Sequence, residues 1–157
     1  MNLIKIQRPL GLIPLFKKDM ERFIKAQEQW NTYNIALDEI RAGQKRTHWI
    51  WFIFPQLKGL GHSYNSEYYG IEDMEEARKY LSHPVLGKRL REITTELLKH
   101  HDKTAGIVMG SNIDALKLQS SMTLFDAISP NDIFAECLQI FFGERKDQST
   151  LEKLTHI

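Results

Sequence analysis

Residues 45–61 read KRTHWIWFIFPQLKGLG, and the conformation of this stretch decides the fold class. Two cations and a histidine lead into six apolar or aromatic residues, which a proline and a Gly-Leu-Gly turn then stop. As a strand it would place His48, Ile50, Phe52 and Phe54 on one face and Trp49, Trp51 and Ile53 on the other; as a helix it would be apolar nearly all round. Either way it is buried. Thr47 is suited to an N-cap and Pro55 to a terminator, so the reading is a short central helix. Two roles stay open for it. Large aromatics dominate core energetics, which makes the tryptophans core residues first. His48, however, stands at the entry beside Lys45 and Arg46 and needs a partner for each ring nitrogen, which suits the wall of a site.

Helical punctuation dominates the rest of the chain. Asp19 is placed to cap a first helix with Met20, Phe23, Ile24 and Gln27 at helical spacing, and Tyr33, Leu37 and Ile40 mark a second that Gly43 closes. Asp73 and Glu76 form a capping-box pattern, and Pro84 sits near the start of a longer helix with Leu86, Leu90, Ile93 and Leu97 on one stripe. Ser129-Pro130 opens another helix that ends at Gly143, and a last turn or two follows Asp147. Asn-Gly and Asp-Gly hairpin signals are absent, which removes most all-β architectures. The expectation is a mainly α, compact single-domain fold of about six to eight helices with little or no β. Residues 1–18 read as an N-terminal arm and 19–157 as the helical domain.

Composition narrows the function classes. The chain has 157 residues, 42% of them hydrophobic, enough for one domain with a real core. Twenty-one Lys and Arg against 20 Asp and Glu leave a formal charge of +1, so no bulk field draws it to nucleic acid or anionic lipid. Nothing approaches the roughly 18 consecutive apolar residues of a membrane span. The apolar N-terminal run is broken by Lys5, Arg8, Pro9 and Pro14 and lacks a small-residue cleavage site. Cys137 has no intrachain disulfide partner and sits in an apolar-periodic segment as an inert thiol, which favours a reducing, cytoplasmic setting. The six histidines and one cysteine show neither His-Glu-x-x-His nor paired Cys spacing, so neither a metal nor a cofactor is expected. Gly59-Leu60-Gly61 lacks the third glycine of a dinucleotide loop and reads as a turn.

A second unusual segment is SNIDALKLQSSMTLFDAIS, residues 111–129. At about 100° per residue, Lys117 projects between two apolar arcs, with Asp114 a turn before it, Ser121 a turn after it and Ser120 at the border. A lysine there must be paired or must reach water, because burying a lone ammonium is costly. One reading is an internal Asp114–Lys117 bridge with the serines bonding back to helix carbonyls. The other is a cleft in which Lys117, Ser120 and Ser121 receive an anionic or polar ligand. A Ser-Lys nucleophile is disfavoured, since KLQSS reverses the usual order and lacks a strained elbow.

The blocks DMERFIKAQ, ALDEIRAGQKRTHWIWFIFPQLKGLGHS, YYGIEDMEEARKYLSHPVLGKRL, DALKLQSSMTLF and FFGERKDQSTL, in order from Asp19 to Leu151, closely resemble a bacterial family catalogued as a domain of unknown function and often mislabelled calpastatin. The resemblance implies a mainly helical single domain and supplies no activity. It includes Lys45, Arg46, His48, Trp49, Trp51, Pro55, Gln56, Gly59 and Gly61 in one block and Lys117, Ser120, Ser121, Met122 and Thr123 in the other. Gln44 and Thr47 depart from the family's more usual basic and serine residues. The calpastatin label conflicts with composition: that inhibitor is a disordered polar chain, whereas this one has a core's worth of apolar residues, so it is not read as a calpain inhibitor.

Two function classes follow. In the first, Lys45, Arg46, His48, Trp49, Trp51, Gln56, Lys117, Ser120 and Ser121 surround a pocket for a phosphorylated or nucleotide-like small anion. An enzymatic form would use His48 as acid or base, Lys117 as electrostatic stabiliser and Ser121 or Ser120 as a positioning hydroxyl. In the second, the same residues form a buried structural network in a non-catalytic protein-interaction module.

Overall fold

The computed structural model describes residues 19–156, and the arm assigned to residues 1–18 lies outside them. The domain is helical, with seven helices of eight residues or more among the described residues and three of a single turn. A first pair, α1 (Glu21–Glu28) and α2 (Thr32–Ala42), is joined by a 3-10 turn in which Trp30 and Asn31 both adopt left-handed backbone, and Gly43, at φ 88°, ends α2. Then come α3 (Ile50–Ile53), α4 (Tyr64–Tyr68), α5 (Met74–Ser82) and α6 (Leu86–Leu98). The chain finishes with α7 (Ala105–Val108), α8 (Asn112–Ile128), α9 (Ile133–Phe142) and α10 (Gln148–Thr155). Residues Leu57 and Ile71 form an isolated parallel bridge, and no strand is present among the described residues.

Helix α8 is the axle, packing against α3, α5, α7, α9 and α10. Its second half explains why: Leu118 and the run Ser120–Asp126 are buried on every side, so this segment has no solvent face to keep polar. Around it lie fully buried Phe23, Trp49, Phe54, Tyr80, Phe125 and Phe134. Burying each such ring contributes about 1.5–3 kcal/mol relative to exposure, and edge contacts such as Phe23 on Tyr80, with centroids 5.0 Å apart, order them.

The 45–61 stretch resolves as one helical turn rather than a strand. Thr47 does not cap it. The N-cap position is Trp49, without a side-chain cap, because the Thr47 hydroxyl instead donates to Glu39 at 2.7 Å. Asp19 likewise does not cap α1, whose N-cap position is Met20; the Asp19 carbonyl accepts from the Arg22 side chain. Asp73 and Asp147 do cap their helices, accepting from Glu76 N and Thr150 N, both at 2.9 Å. The reciprocal arm of the Asp73 box is shifted by one residue, since Glu76 accepts from Glu72 N. Past Ser129-Pro130, the cap of α9 is Asp132. No helix among the described residues is long and apolar enough to cross a membrane.

Candidate functional site

A cleft of about 300 Å³ opens between the first half of α8 and the loop that carries the chain from α3 through α4 to the Ile71 bridge. Helix α8 supplies Ile113, Leu116, Lys117 and Ser120; Trp51 of α3 and Gln56, Leu57, Leu60 and Gly61 form the facing side. Asn65, Ser66, Tyr69 and Gly70 close one end, and Asp147 and Ser149 reach in from the start of α10.

Two backbone devices hold the loop wall. Lys58 N donates to Ile71 O at 2.8 Å, and Ile71 N donates to Gln56 O at 2.9 Å. Gly70 sits so close that a Cβ there would lie 2.7 Å from Lys58 Cα, so only glycine fits. The second device is Arg22, whose guanidinium donates to Tyr68 O at 2.8 Å, Gly70 O at 3.0 Å, Asp19 O at 2.7 Å and the Glu76 carboxylate at 3.0 Å. Arg22 is buried, and this set uses four of the five N–H donors of its planar fork.

The charges meet at Asp114. Its Oδ2 is 2.8 Å from Lys45 Nζ and its Oδ1 3.4 Å from Lys117 Nζ. Lys45 is buried, donates also to Thr47 O at 2.6 Å and lies 4.9 Å from the centre of the Trp49 ring. Lys117 instead faces the cleft, with Nζ 3.9 Å over the Trp51 ring, a cation–π contact that holds the ammonium at the cleft surface. The Lys45 loop is pinned from both sides. Lys45 N donates to Val108 O at 2.7 Å, and Gly110, at φ 82°, allows the approach, since a Cβ there would stand 2.6 Å from Lys45 O. On the other side the Glu39 carboxylate accepts from Arg46 N, Thr47 N, Thr47 Oγ1 and the Trp49 indole. Partial burial by itself would raise the Glu39 carboxyl, but these four donors outweigh it and hold the group below the usual carboxylate range.

The anticipated site residues divide. Trp51, Gln56, Lys117 and Ser120 line the cleft together. Lys45 reaches it only through Asp114. Arg46 and His48 are exposed and not among the lining residues; Trp49 is fully buried in the core. Ser121 is also buried away from the lining, and its hydroxyl has no hydrogen-bond partner among the described residues. Ser120 donates back to Leu116 O at 3.2 Å. Sequence reasoning passes over Asn65, Tyr69, Asp147 and Ser149. The N-cap signal finds Asp147 but gives no hint that the cap also borders a cleft, and nothing local marks Asn65. The side-chain amides of Gln56 and Asn65, two residues of the lining, have no hydrogen-bond partner among the described residues, so their donors and acceptors are unspent. No group of three or more His, Cys, Asp or Glu among the described residues could hold a metal.

No curated protein matches the chain. It is similar to a solved structure, the crystal structure of the conserved hypothetical protein Rv1873 from Mycobacterium tuberculosis, at 41% identity and a TM-score of 0.81, over 86% of this chain and 95% of that one. A family model matches residues 17–154, which takes in every helix described above except the end of α10, and the whole cleft. The chain therefore belongs to the family described as Protein of unknown function (DUF1810).

Proposed function

We propose that the cleft binds a small phosphorylated or nucleotide-like anion, with Lys117 as its charge contact. One observation carries the reading: a lysine side chain about three-quarters buried holds its ammonium on the face of Trp51 inside a cleft, beside two side-chain amides with no hydrogen-bond partner among the described residues. Lysine suits a phosphate or carboxylate as a point charge, the amides suit a polar head group, and Leu57, Leu60, Leu116 and Tyr69 suit an apolar or planar body. The reading stops at binding. His48 and Ser121, the acid–base and hydroxyl candidates, lie outside the lining, so no reaction is assigned.

A second reading, a non-catalytic interaction module, is favoured by Ile113 and Leu116, which are 68% and 62% exposed at the cleft edge. Thermal melting separates the two. Nucleotides and sugar phosphates are screened against wild type and Lys117→Met, a change that keeps most of the side-chain volume and removes its charge. Under the anion reading at least one compound raises the wild-type melting temperature and none raises that of the variant, while the variant itself melts close to wild type because Lys45 still pairs Asp114. A panel that leaves the wild-type melt unmoved favours the interaction module.

A further inference from the structure

Asp114 carries one negative charge and two lysines, so the trio holds one positive charge in excess. Its distribution is uneven. Lys45 is buried, makes the shorter contact at 2.8 Å and is anchored by Thr47 O, whereas Lys117 is at 3.4 Å and leans on Trp51. The attraction between opposite charges grows as solvent is excluded, so the carboxylate is neutralised chiefly by the buried partner. Lys117 is left as the cation that the cleft feels.

We propose that Lys45 is a positioning residue that sets the charge of the cleft without touching the ligand: by neutralising Asp114 it keeps Lys117 free for an anion. This rests on the anion reading above for its biological meaning, but the charge assignment stands on the trio itself. Removing Lys45 hands the Asp114 charge to Lys117, and the trio falls to zero. Removing the Asp114 charge raises the trio to two. Removing both restores one, now carried by Lys117 alone.

Trp51 is a built-in reporter, because it lies under Lys117 and is partly accessible, whereas Trp49 is fully buried. Trp30, 82% exposed, is changed to Phe in every protein used. Fluorescence quenching by iodide, an anion, is divided by quenching by neutral acrylamide at constant ionic strength, so that access cancels and local charge remains. One unit of charge a few ångströms from the ring should change this ratio about two- to threefold after screening. The ratio should fall by that factor in Lys45→Met, rise by a similar factor in Asp114→Asn, and return to the wild-type value in the double variant. If Lys45→Met does not fold, the drop from Asp114→Asn to the double variant, one charge apart, carries the same test. Equal ratios in all folded variants would overturn the proposal. Iodide is itself the probe, so a panel of phosphates that shifts no melt defeats the anion reading without touching this result, and the reverse holds as well.

Discussion

Two buried cations stand outside the cleft lining but next to it, Arg22 bonded to the carbonyls of Tyr68 and Gly70 and Lys45 paired with Asp114 of α8, and they are satisfied in different ways. Arg22 meets three backbone carbonyls and one carboxylate, Glu76, so charge and donors close on themselves. The Asp114 cluster has two cations on one carboxylate, and the cation left over lies on an aromatic face in an open cleft. The first arrangement is structural and shapes a wall. The second leaves charge available, which is what a binding site needs. The distinction lies in the count of partners, since both clusters involve buried cations and both lie in the stretches that resemble the family.

The largest effect is expected at Arg22. Arg22→Met leaves Glu76 buried without its partner and frees the carbonyls of Tyr68 and Gly70, and removing one member of such a pair costs about 3–5 kcal/mol. Urea unfolding should show a loss of that size. A loss below about 1 kcal/mol, the range of an exposed pair, would mean the cluster is not the staple its geometry implies.

Glu39 gives a smaller effect with a pH signature. Glu39→Gln weakens four hydrogen bonds into the Lys45 loop and should cost about 1–2 kcal/mol near neutral pH. The folded carboxyl is held below its unfolded value, so the stability it adds is present above the ordinary Glu range and is lost as pH falls through the folded pKa. Wild type and variant should therefore converge in urea melts as pH is lowered below about 4. A constant gap across that window would show that packing, not the charge, holds the loop.

The smallest effect belongs to Ser121. Its hydroxyl is buried and has no hydrogen-bond partner among the described residues, so Ser121→Ala removes a desolvated polar group and should leave stability unchanged or raise it by up to about 1 kcal/mol. A destabilisation of about 1 kcal/mol or more, read in the same urea assay, would reveal a bonded role for the hydroxyl.

Much of the helical frame is legible in the sequence because its signals are local. Gly43, Gly143, Asp73 and Asp147 each act on the turn next to them, and the structure puts them at those turns. The misplaced caps differ: the Thr47 hydroxyl is claimed by Glu39 from a separate helix, whereas Asp19 stands one residue before the N-cap position, Met20, and its carbonyl accepts from Arg22 three residues on. Lys117 is legible since an ammonium in an apolar helical sector is anomalous on any reading. The meeting of Lys45 with Asp114, and the wall made when residue 57 pairs with residue 71, join segments whose separation no periodicity encodes. The fate of His48 and Trp49 shows the same limit: adjacent in sequence, one is exposed and the other fully buried.

If the surplus cation at Lys117 makes the cleft a site for a small anion, as proposed above, ligand binding must be felt by the groups around it. The most direct test is a titration of the nitrogen-15-labelled protein with the nucleotides and sugar phosphates, followed through side-chain N–H resonances. A binding member of the panel should move the Trp51 indole and the Gln56 and Asn65 amides, which border the cleft, and leave the Trp49 indole, bonded to Glu39 in the core, in place. Shifts that spare the three cleft groups and gather elsewhere, or no shift with any member, would contradict the anion reading.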